Sequence, residues 1–157
     1  MRVVPCRVGP NWVDRAEVMI DVESPYTGEM FASVPSMGPI DVDAVMQHAI
    51  EASGGWAATS PVTRAEVLRR AADLLEQRRK EVEADLVAEG GKTPYEAAGE
   101  LAKTAATFRY YSGLVGALDG RSYRAARTRV RHETRCEPVG PVAAITPWNV
   151  PLASPAR

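Results

Sequence analysis

The sequence predicts an α/β fold, and three observations carry that expectation. Apolar and polar side chains alternate through parts of the first forty residues, helical periodicity runs from Asp41 to about Leu114, and a continuous apolar run, "VGPVAAIT", follows near the end of the chain. A strand buried on both faces, as in a parallel sheet, has that last composition.

The first element is a strand pair. "AEVMIDVESP" alternates, "YTGE" has the composition of a turn, and "MFASVP" resumes the extended pattern, so the chain reverses around Thr27-Gly28. At Asp41 the period changes. "DVDAVMQHAIEASGGW" places Val42, Val45, Met46, Ala49 and Ile50 on one helical face, with acids in the first turn and Gly54-Gly55 as the expected stop.

A second helix opens at "SPVTRAE", where either Ser60 caps with Pro61 at the first helical position or Thr63 and Glu66 form a capping box. Leu68, Ala71, Leu75, Val82 and Leu86 then recur at helical spacing until Gly90-Gly91. The third helix has the clearest start: Thr93 caps, Pro94 fits the first turn, and Glu96 reaches back to the cap amide. Its apolar positions continue through Leu101, Ala105, Phe108 and Tyr111, and Gly113, Gly116 and Gly120 leave its end open.

In "RSYRAARTRVRHETRCEPVG", Arg127, Arg129 and Arg131 alternate with Thr128, Val130 and His132, which reads as an exposed strand or hairpin with a cationic face. After Glu137-Pro138 comes the apolar strand "VGPVAAIT", and "PLASPAR" is expected to open a helix.

Composition excludes several classes of function. The chain has 157 residues, 45% of them hydrophobic, and a formal net charge of -1, so it can bury a core and carries no global attraction to nucleic acid or an anionic membrane. No segment approaches the roughly 20 apolar residues that span a bilayer, and the first residues lack a signal-peptide core. The expectation is a soluble, cytoplasmic protein with no membrane partner.

Few side chains qualify as chemical groups. Cys6 and Cys136 fit no zinc or redox spacing, and on an extended strand His132 and Cys136 would stand about 13 Å apart, too far for a hydrogen bond. His48 has no second histidine or carboxylate placed to complete a metal site, so no metal is expected. "EGGKTP" lacks the full phosphate-binding loop pattern and does not follow a strand. Six arginines between Arg121 and Arg135 suggest a phosphate-tracking surface, but only Tyr123 interleaves with them, so a charged edge or a subunit contact is the simpler reading and no nucleic acid is expected. Asn149 remains, as a polar amide at the mouth of the apolar strand. Its NH2 suits donation to an oxyanion, although by position alone capping the helix that follows is the commoner role for such a residue.

At Glu137-Pro138-Val139-Gly140, followed by Ile145-Thr146-Pro147-Trp148-Asn149-Val150-Pro151-Leu152, the sequence resembles the NAD(P)-dependent aldehyde dehydrogenase superfamily. The order of "SPYTGEMFASVP", the helical segments and "YYSGLVGALDG" resembles that family from about Val18 onward. The resemblance implies the N-terminal part of a cofactor-binding domain, ending just after the PWN motif. It divides the chain into residues 1–120 (strands and helices), 121–137 (a bridging, oligomerisation hairpin) and 138–157 (the first strand and helix start of a Rossmann-like parallel sheet).

It also implies roles. Asn149 matches the asparagine whose amide stabilises the oxyanion formed when a cysteine attacks an aldehyde, en route through a thiohemiacetal to a carboxylic acid. Ile145, Thr146, Pro147 and Trp148 match the segment bordering NAD or NADP near the nicotinamide, and the hairpin implies a homo-oligomer. The family's nucleophilic cysteine, general-base glutamate and pyrophosphate turn find no counterpart here, and neither Cys6 nor Cys136 lies in a matching motif. The chain is therefore expected to be inactive alone, the alternative being a non-catalytic interaction or oligomerisation module.

Overall fold

A computed structural model describes residues 2–117, 119–127 and 129–157. The expected strand pair forms from β4 (Met19–Glu23) and β5 (Met30–Pro35), antiparallel with Ile20 opposite Val34 and Val22 opposite Ala32. Its turn closes as expected at Gly28, whose φ of 71° suits glycine and whose N–H donates to Ser24 O at 2.8 Å.

Three short strands precede this pair. β1 (Arg2–Val3) adds to β5 in parallel, while β2 (Cys6–Val8) and β3 (Asn11–Val13) form a hairpin of their own. Gly9 turns that hairpin at φ 58°, and a side chain there would strike the ring of His48. His48 thus packs against a turn and pairs with Glu51 at 3.6 Å.

Helix α1 (Pro39–Ala58) begins two residues before the expected Asp41 and runs through Gly54-Gly55. Glycine weakens a helix without ending it. The stop comes where Pro61 forces Ser60 out of the helical region, to ψ 148°, and Thr59 is already extended. No residue of α1 is buried, and Val42 and Ile50 of its expected inner face are exposed.

The expected second helix is two. α2 (Pro61–Gln77) is capped by Ser60, whose hydroxyl accepts the Thr63 N–H at 3.1 Å, and α3 (Arg79–Gly90) ends at the left-handed Gly91. Between them Arg78 (φ -95°, ψ 17°) accepts the Glu81 and Val82 amides on its carbonyl and grips Glu81 with its guanidinium. Neither glycine nor proline marks this bend, so periodicity passes over it.

α4 (Pro94–Gly113) has the predicted capping box, with the Thr93 N–H on Glu96 Oε2 at 2.9 Å and the Glu96 N–H on Thr93 Oγ1 at 3.3 Å. The core lies on this helix. Ala97, Leu101, Thr104 and Ala105 are almost fully buried, as are Ala65 and Ala72 of α2 and Leu86 of α3, the two helices against which α4 packs. Such small side chains let the helices approach closely, and Thr104 satisfies its buried hydroxyl on Glu100 O at 2.8 Å. At the far end Arg109 joins α4 to α2 through Asp73 (2.9 Å) and Glu76 (2.6 Å).

β6 (Arg121–Arg124) and β7 (Arg131–Thr134) form the expected exposed hairpin, without the expected cationic face. Arg127 and Arg129 lie in the connection, Thr128 lies outside the described residues, and Arg121 and Arg124, three apart on one strand, point to opposite faces. Arg124 stands opposite Arg131.

The largest departure is at 139–146. This run has no regular secondary structure and joins no ladder among the described residues, with Val139 90% and Ile145 100% exposed. A doubly buried strand exists only between neighbouring strands, and β1–β7 are all engaged elsewhere. "PLASPAR" forms hydrogen-bonded turns in place of a helix, with the Ser154 N–H on Val150 O at 3.0 Å and the Arg157 N–H on Ser154 O at 3.2 Å.

Two outcomes follow for this chain. Leu101→Ala is expected to destabilise it by about 2–5 kcal/mol, read from the urea midpoint at constant slope. In native-state hydrogen exchange the amides of α4 should be the best protected, while those of residues 139–147 exchange near unstructured rates; slow exchange across that run would contradict the unpaired strand.

Candidate functional site

α4 carries one charged residue on its buried face. Glu100, 7% exposed, falls three residues after Ala97 and four before Thr104, on the stripe the helix presents to the core. Its Oε1 accepts two successive backbone amides, Leu152 N–H at 2.9 Å and Ala153 N–H at 3.1 Å. Its Oε2 pairs with the ammonium of Lys92, itself only 15% exposed. Lys92 reaches inward because the left-handed Gly91 has ended α3, and Thr93 then starts α4. "EGGKTP" is therefore a helix-to-helix corner whose lysine is paired with Glu100.

Burial pushes the Glu100 carboxyl up, but the Lys92 ammonium and the two amides outweigh it and hold the group below its usual 4.5. The carboxylate fastens the turn at 150–156 onto the helices, where Ala153 and Ala156 are buried. The same turn borders an open apolar groove of about 350 Å³, lined by Leu75, Val82, Phe108, Leu152 and Pro155.

The residues singled out from the sequence lie just before this anchor. Ile145, Thr146, Pro147, Trp148 and Asn149 are all exposed, Trp148 by 84%, and they form a strip that leads into the fastened turn. Asn149 shows no capping bond to a helix, since the turns after it do not make one. The cysteines are elsewhere. The half-buried Cys6 Sγ faces Pro35 O at 3.8 Å, and the exposed Cys136 borders a hollow beside Ser53, Gly54 and Ala57 of α1. Among the described residues no three His, Cys, Asp or Glu side chains are placed to hold a metal, and no helix is long and apolar enough to cross a membrane.

Comparison with known proteins matches residues 12–157 to the model of the aldehyde dehydrogenase family. The chain belongs to that family. It is 38% identical over 128 residues to the alpha-ketoglutarate semialdehyde dehydrogenase of Haloferax volcanii, covering 82% of this chain and 27% of that one. It is 34% identical over 151 residues to the mitochondrial succinate-semialdehyde dehydrogenase of Arabidopsis thaliana, covering 96% and 29%. The crystal structure of an aldehyde dehydrogenase from Brucella melitensis biovar abortus 2308 superposes with a TM-score of 0.92 at 30% identity, over 97% of this chain and 32% of that one. The chain thus spans less than a third of the length of the curated relatives it matches. The likeness over almost the whole chain agrees with the α/β reading, and the family match runs through the C-terminal strip to residue 157.

Sequence reasoning missed Glu100 and Lys92. The available signal was a carboxylate at a helical position whose neighbours at three and four residues are Ala97, Leu101 and Thr104, a pattern that asks for a buried partner. Because the folded carboxyl titrates lower than the unfolded one, its stabilisation is complete above pH 4.5 and is lost as pH falls through the depressed folded value. The unfolding free energy of the parent should therefore fall more steeply than that of Glu100→Gln below about pH 4.5, measured by urea titration across acid pH.

Proposed function

We propose that this chain is the N-terminal part of an NAD(P)-dependent enzyme that oxidises an aldehyde to a carboxylic acid, and that Asn149 donates its side-chain amide to the oxyanion formed when a cysteine attacks the carbonyl. The observation that carries the reading is the exposed Asn149, which lies in a turn with Trp148 three residues before Leu152, where a buried carboxylate fastens the chain to the core. An oxyanion donor acts through preorganisation, so an amide at the edge of an anchored turn suits the role better than one in a free loop.

Ile145, Thr146, Pro147 and Trp148 border the nicotinamide end of the dinucleotide in this reading. Taken alone they do not fit one: Ile145 and Trp148 present open surfaces that none of the described residues covers. They supply one wall, and residues outside the chain complete the site. When bound, NAD or NADP supplies the hydride acceptor. The chain's own contribution is to orient the carbonyl and to hold charge on its oxygen.

The nucleophile also comes from outside these residues, because Cys6 faces the β5 end and Cys136 borders α1. The proposal keeps the three-part division: residues 1–120 as the strands and helices, 121–137 as the hairpin through which copies of the subunit pair, and 138–157 as the first strand and turn of the cofactor-binding sheet. The fully exposed β6 and β7 support pairing, since an isolated two-stranded ribbon is marginal in water.

In the aldehyde-oxidising subunit that carries these residues, Asn149→Ala should lower kcat by about 100- to 1,000-fold with little change in KM. An unchanged kcat would overturn the assigned role. The purified 157-residue chain should reduce no NAD or NADP with simple aldehydes, and turnover abolished by Asn149→Ala would overturn the view that it is incomplete.

A further inference from the structure

The geometry points to Glu100, supported by Lys92, as the residue that positions Asn149, through the amides of Leu152 and Ala153. This deepens the proposed function and rests on Asn149 being the oxyanion donor.

The carboxylate is spent entirely on that connection. One oxygen takes two consecutive amides of the turn and the other takes Lys92, so neither is left for solvent or substrate. A buried charge is a poor way to gain stability, because an apolar residue of the same volume serves a core as well or better. What it provides is direction: a charged acceptor shared by two neighbouring N–H groups fixes the orientation of the peptide planes that carry them.

Little freedom remains between those planes and Asn149. Pro151 locks its own φ and restricts Val150 to extended conformations, so the link from Leu152 N–H back to Asn149 has few soft dihedrals. The helix side is equally rigid. Glu100 lies among Ala97, Leu101 and Thr104 on the tightest face of α4, and Lys92 is fixed between the end of α3 and the cap of α4. A displacement at position 100 therefore passes to the turn and from the turn to the amide.

The test is a double-mutant cycle in the aldehyde-oxidising subunit, joined to amide exchange on the 157-residue chain. Glu100→Leu removes the acceptor at similar volume and should lower kcat by about 10- to 100-fold, with KM close to the parent value. Glu100→Gln keeps a carbonyl for the two amides and should recover part of that loss. On an Asn149→Ala background, Glu100→Leu should cost nothing more, because the residue acts only through that amide. In the chain itself, Glu100→Leu should speed exchange at Leu152 and Ala153 while leaving α4 protected.

A multiplicative loss in the double variant would overturn the proposal, since Glu100 would then act independently of Asn149. So would a normal kcat in Glu100→Leu alongside an impaired Asn149→Ala. A normal kcat in Asn149→Ala itself would overturn the oxyanion reading and this inference with it, while the exchange at Leu152 and Ala153 would still report whether the clamp holds the turn. If Glu100→Leu fails to fold, Lys92→Met takes its place in the cycle and should show a smaller loss with the same non-additivity.

Discussion

The narrow face of α4 governs how the rest of the molecule is arranged. Ala97, Leu101, Thr104 and Ala105 expose almost nothing, and the helix that carries them packs on α2 and α3, whose own buried residues are Ala65, Ala72 and Leu86. Close-packed interiors tolerate few gaps, so helices that meet through small residues must come near one another. At that distance a long polar side chain on the same face cannot leave for solvent. Glu100 must find its partners inside, and it finds them in Lys92 and in the turn that the last residues form.

This makes the C-terminal segment a structure of two halves. From Leu152 onward it is bound to the helices by hydrogen bonds and by the burial of Ala153 and Ala156. From Val139 to Trp148 it joins no strand or helix and is open, with the apolar side chains of Val139, Val142, Ile145 and Trp148 facing water. Asn149 sits at the junction. In the proposed enzyme the anchored half gives the amide its position, and the open half awaits the neighbouring strands that a parallel sheet supplies.

Much of the fold could be read along the chain wherever the cause is local. The β4–β5 turn follows from Thr27-Gly28, because the left-handed position suits glycine. The start of α4 follows from Thr93, Pro94 and Glu96, whose reciprocal bonds close within one turn. Where the cause is not local, the reading failed. Gly54-Gly55 resembled a stop, yet a proline six residues on decided where α1 ends. Arg78 bends the α2–α3 run through contacts that no periodicity reveals. The alternating arginines suggested one cationic strand face, and the connection between β6 and β7 takes Arg127 and Arg129 out of the strands.

The candidate site divides along the same line. Sequence alone determined the asparagine, its Thr-Pro-Trp approach and the family resemblance, because these are properties of consecutive residues. Tertiary structure alone decided which part of that segment is held and by what. Glu100 and Leu152 are 52 positions apart, and their hydrogen bond exists only because α4 turns that carboxylate inward beneath the returning chain. A buried charge takes whatever partners the packing brings to it, and packing is a property of the folded whole.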